Sequence, residues 1–541
     1  MPPALRLSVR AQTPGGKEFR WAPDEVNAAN VPNGLNFSTT IPGGFEQASL
    51  SLARKAETRY EDLTEFTNIR VEGAGGVLAW EGRIEATPRE SGDQKAISPQ
   101  AVGWQAALED DQTAVMPYVD RDLGNWQDQT AQRRVNLYAS LGGVAYNVMS
   151  GFEVESDSTS PTLRLNLDSR ASVGAISEAW YDSKTTLGSI YYTWTGRNLA
   201  SGDIGRIDGA SNTVATSTTS GTDVVTGASG TGTATETSVS GYRFAIAILA
   251  RAASAISTDA DRDLRLSTVA VYGNHGLTKR GTEPAAGFYA SDIIGHAVAT
   301  WAPSLSRSVD QTGFVIPHIA FLDFTTAAEI VREANRFHLN DWAVWDDKTF
   351  HYYEPGARGR TWRARVGECN LQEAGPQVDK MWNGVLVSYP DVDGTTRTVG
   401  PTGSVADATS ASLTDSDPTN PVNVAGLRRW VKLDSSTVTT QAGAIEIGQR
   451  FLLQSAQINN SGQADLIGTV EDDHGVSRPA WQVRAGDYIS FIDSSQTEPR
   501  KIIRTTYDAD SATCSIDLDA PAEGLDALLE RLSVVLVPLG I

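Results

Sequence analysis

Phe37–Arg54 reads FSTTIPGGFEQASLSLAR, and Asn68–Arg83 reads NIRVEGAGGVLAWEGR. In both, short alternating runs of apolar and polar residues (Ala48 to Ala53, Ile69 to Glu72, Val77 to Glu85) are broken by turn chemistry, Pro42-Gly43-Gly44 in one and Gly73-Ala74-Gly75-Gly76 in the other. A side-chain period of two with glycine-rich breaks is the pattern of antiparallel strands. This stretch therefore predicts a small, twisted β-barrel or sandwich. Upstream, Leu5 to Val9 alternates and supplies a first strand, and Trp21 to Gly34 reads as a loop. Downstream, Lys95 to Trp104 adds a strand and Gln105 to Asp111 a helical turn, closing a first domain near Arg121.

The chain has 541 residues, too many for one core, so three or four domains are expected. Its 40% apolar and 21% charged residues exclude a chain that is disordered throughout. The start, MPPALRLSVR, lacks the apolar core of a secretory signal, and no run reaches the ~18 apolar residues of a membrane span, so a soluble protein made in a cytoplasm is expected. The net charge of −21 repels a phosphate backbone and argues against sequence-specific nucleic-acid binding. The two cysteines, Cys369 and Cys514, read as small buried residues.

From Val148 to Tyr272 the pattern is β throughout: VMSGFEVES, PTLRLNLDS, ISEAWYDS, GSIYYTWTG, YRFAIAILAR, LRLSTVAVYG. Short strands at this spacing indicate a β-sandwich of jelly-roll type. Within it, the Ser/Thr/Gly/Ala tract from Gly205 to Gly241 reads either as linker or as exposed strand. Next comes a helix capped by Ser291, with Ile293, Ile294, Ala297, Val298 and Trp301 at helical spacing. A second helix opens on a Thr326/Glu329 capping box and carries Ala327, Ile330, Val331, Ala334 and Phe337 on one face. The hairpin WAVW-DDK-TFHYY (Trp342–Tyr353) and the run WNGVLVSYPD complete an α+β unit. Beyond a turn-rich boundary, a helix over Ala444–Ala456 precedes strands at Trp481–Val483, Tyr488–Ile492, Lys501–Tyr507 and Thr513–Leu518. A short helix through Leu525, Leu528, Leu529 and Leu532 and a last strand, SVVLVP, follow.

The fold class expected is thus mainly β with α+β parts. Residues 1–121 form a barrel-like domain, 122–280 an inserted sandwich, 281–395 a small α+β domain and 396–541 a second barrel-like domain.

The order of strand, Pro-Gly-Gly, strand, connector, strand and glycine-rich hairpin ending in VLAWEGRI resembles the first domain of siphophage tail hub proteins, the minor tail proteins of actinobacterial phages. AWQVRAGDYISFID (Ala480–Asp493), followed by PRKIIRTTYD, resembles the closing barrel of the same family. The resemblance implies a structural, non-enzymatic virion protein of the tail tip or baseplate, assembled in the host cytoplasm. Three chains would form a ring whose six barrel-like domains meet a six-fold tube. Its implied partners are copies of itself, the distal tail protein, the tape-measure protein and other tip proteins. Genome DNA would pass through a lumen whose acidic wall repels it.

No catalytic pattern assembles in the sequence. His275, His296, His318, His338, His351 and His474 form no metal-binding spacing, although His338 and His351 come from adjacent elements. Glycine-rich turns join strand to strand, so no helix N-terminus follows them to hold a phosphate. Asp259, Asp261 and Asp263 alternate as in a calcium loop but lack its glycine and closing glutamate. Asp110-Asp111, Asp346-Asp347 and Asp472-Asp473 sit in turns. No catalytic residue, cofactor or metal is therefore assigned. Trp180, Tyr181, Tyr191, Tyr192 and Trp194 can either pack a core or stack on sugar rings. The alternative reading is accordingly a receptor- or glycan-binding tail protein acting through the inserted sandwich on a host surface glycan.

Overall fold

The computed structural model describes residues 6–22, 26, 34–50, 52–53, 63–86, 96–111, 114–127, 152–155, 162–167, 176–182, 187–197, 204–210, 222–223, 229–235, 243–249, 262–373, 381–391, 395–401, 408–418, 420–435, 438, 440–455, 462–492, 499–519 and 535–538. The chain is mainly β, with a few helices packed on its sheets. Residues 525, 528, 529 and 532, Asp259 and Asp261 lie outside the described residues, as does much of the Ser/Thr/Gly tract. Ser229–Thr235 of that tract is a strand, paired with Leu187–Arg197.

The main body is one curled, 18-stranded network that draws on both ends of the chain. Ser8–Gln12 pairs with Glu18–Trp21 and Asn68–Glu72, which leads to Leu78–Ala86, Gln100–Gly103, Gly43–Ser49 and Asn36–Thr40. From there the network crosses to the far end of the chain. Asn36–Thr40 lies antiparallel to Arg500–Asp508, Asn36 opposite Asp508 and Thr40 opposite Arg504. Arg500–Asp508 continues to Thr513–Asp519, Gly462–Ile467 and Cys369–Glu373 on one side, and to Tyr488–Ile492 and Thr361–Arg365 on the other. One apolar cluster runs beneath both ends, from Leu7 to Leu518. Trp21, Trp80, Trp362 and Trp481 are fully buried in it, and burying side chains of this size is worth of order 3 kcal/mol each.

Trp481 was expected in a strand; it sits instead in a single 3-10 turn, Ala480–Gln482. The turn brings the indole against Gly73 of the N-terminal hairpin, where a Cβ would lie 2.1 Å from the ring.

The second core holds the helices. Ala290–Trp301 and Ala327–Asn335 pack with Gln441–Ser455 against the sheet containing Gly384–Pro390 and Trp430–Asp434. The expected capping box is present: Thr326 Oγ1 accepts from Glu329 N at 3.2 Å, and Glu329 Oε2 accepts from Thr326 N at 2.9 Å. Ser291 does not cap the preceding helix, whose N-cap is Tyr289. It lies inside the first turn, and its N–H is satisfied by Thr312 Oγ1 at 3.2 Å, a cap supplied from a distant segment. The last strand, Val535–Pro538, pairs with Trp430–Asp434 rather than with the curled body.

Trp126–Gln127 and nine strands of residues 152–273 make up two five-stranded sheets, the expected sandwich. The chain passes into this region beyond Asp120 and returns at Val271. The two residues exchange both backbone hydrogen bonds, each 2.8 Å.

Candidate functional site

Three segments meet at the turn Ile41–Gly44. Ile41 N donates to Ile503 O at 3.0 Å, and Gly43 and Gly44 run parallel to Ala343 and Val344 of the Asp341–Trp345 strand. Gly44 has φ +102°, and a Cβ there would lie 2.3 Å from Val344 O, so both its conformation and its close approach require glycine. Thr39 and Thr505 share a hydroxyl hydrogen bond of 2.7 Å, and Ala485 N donates to Thr39 Oγ1 at 2.9 Å. Beside them Lys501 Nζ donates to Asp341 Oδ1 at 2.7 Å, with each side chain 1% exposed. This ion pair ties the C-terminal strands to the α+β hairpin. Desolvation makes such a pair costly to break from one side.

Asp487 closes the same junction. Its carboxylate accepts from Trp362 Nε1 at 2.8 Å, Arg360 N at 2.9 Å and Arg484 N at 3.1 Å. Burial pushes its pKa up, against those three donors.

The inserted sandwich is held by a second polar cluster. Asp120 accepts from Tyr181 Oη at 2.7 Å, Asn125 Nδ2 at 2.8 Å and Asp122 N at 2.8 Å, and burial raises its pKa despite these donors. Arg121 donates through Nε to Pro317 O at 2.7 Å and through Nη2 to Ala286 O at 2.8 Å and Tyr272 Oη at 3.2 Å. Its backbone N–H donates to His318 Nδ1 at 3.0 Å, so the neutral ring keeps its proton on Nε2. Burial lowers the His318 pKa to about 4.

The aromatic residues singled out in the sequence divide between these surroundings. Tyr181 is buried against Trp126, ring centroids 5.6 Å apart, and is the sandwich's link to Asp120. Tyr192 is buried and Tyr191 half-buried against the helical core. Trp180 stands opposite Ala245 on strand Ile176–Asp182, and Trp194 opposite Leu266 and Gly230 on strand Leu187–Arg197. The anchoring role of Tyr181 has no signature in the sequence, because alternation does not say which face of a strand is covered.

The titratable pairs serve packing and turns. His338 Nε2 accepts from Phe314 N at 3.3 Å, whereas His351 Nδ1 lies 2.6 Å from Arg358 Nη1. Asp110 accepts from both terminal guanidinium nitrogens of Arg83, and Asp472 accepts from Val476 N at 2.8 Å and His474 N at 3.1 Å. Among the described residues no group of three or more His, Cys, Asp and Glu is placed to hold a metal ion, and no helix is long and apolar enough to cross a membrane. A cleft of about 940 Å³ separates helix Ala327–Asn335 from the Thr40–Pro42 turn. Its three arginines are each paired with a glutamate, Arg332 with Glu109 (3.0 Å), Arg336 with Glu333 (2.6 Å) and Arg504 with Glu46 (3.1 Å).

No protein-family model and no curated protein sequence matches the chain. Solved structures similar to it include the 43 kDa tail protein of prophage MuSo2 from Shewanella oneidensis, at 8% identity and a TM-score of 0.42, covering 95% of this chain and 98% of that one. A tail protein from Neisseria meningitidis MC58 shows 8% identity and a TM-score of 0.41, covering 95% and 96%. Prophage tail protein gp18 from Listeria monocytogenes EGD-e shows 8% identity and a TM-score of 0.37, covering 98% of both chains. All three are tail proteins.

Proposed function

We propose that this chain is a structural, non-enzymatic subunit of a bacteriophage tail, and that it acts as the hub at the tail tip or baseplate. Three copies form a ring that closes the end of the tube and anchors the tape-measure, distal tail and tip proteins. The observation that carries this reading is the curled network shared by the first and last parts of the chain, which copies of itself can extend. Two of its outer strands keep one side free of strand partners among the described residues: Cys369–Glu373 pairs only with Gly462–Ile467, and Ser477–Pro479 only with Thr469–Asp472. An open edge exposes unpaired backbone donors and acceptors, and pairing with copies around an axis satisfies them. The acidic composition fits a lumen through which DNA slides without sticking. The resemblance in sequence of the Phe37–Arg83 and Ala480–Asp508 segments to segments of hub proteins supports the same reading.

Electron microscopy of the purified full-length chain tests it. The expected image is a hollow ring with Asp and Glu on its inner wall. A solid particle, or a lumen lined mainly by Lys and Arg, would overturn the reading.

A further inference from the structure

In a chain of net charge −21, one pocket of about 310 Å³ gathers Arg358, Arg360 and Arg484 with His351, between the loop before strand Thr361–Arg365 and the loop 484–487. Two of these arginines are fixed. Arg484 lies over the rings of Phe45 (5.1 Å) and Trp345 (5.5 Å), and donates to Asp346 at 2.9 Å and to Leu78 O at 2.8 Å. Arg358 lies over Tyr353 at 5.4 Å and reaches Asp310 at 3.1 Å and Ser308 at 3.2 Å. Arg360 differs from both. Its backbone is pinned on either side, N–H to Asp487 at 2.9 Å and carbonyl accepting from Tyr488 N at 2.7 Å, while its guanidinium has no partner among the described residues.

The rim carboxylates are already taken. Asp310 is paired with Arg358 and Asp346 with Arg484, and Asp487 turns inward to Trp362. His351 adds a neutral ring, because burial first and then the Arg358 charge lower its pKa. The loop is also rigid at its turn: a Cβ on Gly359 would lie 2.3 Å from Gly486 O, so the two walls touch there. The pocket is thus preformed, rich in donors and short of free acceptors. Its volume sits at the small end of the range for ligand sites.

We propose that this pocket binds a carboxylate, with the Arg360 guanidinium as its principal, two-pronged donor and Arg358 beside it. Paired N–H donors in a plane match the two oxygens of a carboxylate, and the rigid planar fork of a guanidinium loses less freedom per hydrogen bond formed than a lysine ammonium does. The carboxylate belongs either to a free small acid or to an Asp or Glu side chain carried in on a partner protein.

Calorimetric titration of the full-length chain with glutarate, and separately with a Gly-Ser peptide bearing a single glutamate, tests the site. Saturable binding of either probe is expected, weakened at least tenfold by Arg360→Gln, a change that removes no described ion pair. Glutaramide is expected not to bind. Tighter binding of glutarate marks the free acid as the occupant, and tighter binding of the peptide marks a protein side chain. Absence of saturable binding by both probes, or equal affinity in the Arg360→Gln variant, would overturn the proposal. Circular dichroism of the variant confirms that its fold is kept, and Arg360→Lys is expected to recover only part of the affinity.

Discussion

At the scale of single residues, the polar groups that matter are the buried ones that join segments far apart in the sequence. Lys501 and Asp341 are separated by 160 positions and meet at 2.7 Å with no exposure to speak of. Lys501→Met leaves a buried carboxylate with no countercharge. Chemical denaturation is expected to show a loss of about 3–5 kcal/mol, much of it recovered when Asp341→Leu is added. His318 makes a second test, through pH. Its pKa falls to about 4 in the fold, from an ordinary value of about 6.5. The neutral ring is favoured when folded, so its contribution is full above pH 6.5 and is lost as the pH falls toward 4, by roughly 3 kcal/mol in all. His318→Asn keeps an acceptor for the Arg121 N–H. Its stability is expected to fall less than that of the native chain between pH 7 and pH 4, and the presence of Asp120 in both proteins removes that acid's opposing effect from the comparison.

At the scale of elements, much of the local structure is legible in the sequence, because local signals are strong where caps and periodicity agree. The Thr326/Glu329 box, the apolar face from Ala327 to Phe337 and the hairpin broken at Asp346-Asp347-Lys348 all stand where spacing places them. What spacing does not reveal is which strand meets which. Asn36–Thr40 pairs with strand Arg500–Asp508, more than four hundred positions away, and nothing in either segment names the other. The same holds for Trp481, whose apolar neighbours suggest a strand while its packing on Gly73 demands a turn. Gly73→Ala keeps an ordinary backbone, φ −88°, and adds only a methyl group against the indole. It is expected to cost about 1–3 kcal/mol. Trp481→Leu is costly alone, but combining the two changes is expected to give less than the sum, by more than 0.5 kcal/mol. Strict additivity would mean that the two ends do not touch.

At the scale of the whole molecule, the two ends of the chain are halves of one β body, and the sandwich is attached to it through Asp120, Val271 and Tyr181. The candidate site was the least legible part. The aromatic cluster is conspicuous in sequence, yet Tyr181 and Tyr192 lie inside, whereas the arginine pocket is assembled from loops whose sequences carry no motif. Under the proposed function, this fused body works by lining up with copies of itself. Native mass spectrometry of the full-length chain across a concentration series is the most direct test: a dominant species of three times the 57.9 kDa chain mass is expected, and a strict monomer at the highest concentration would contradict the account.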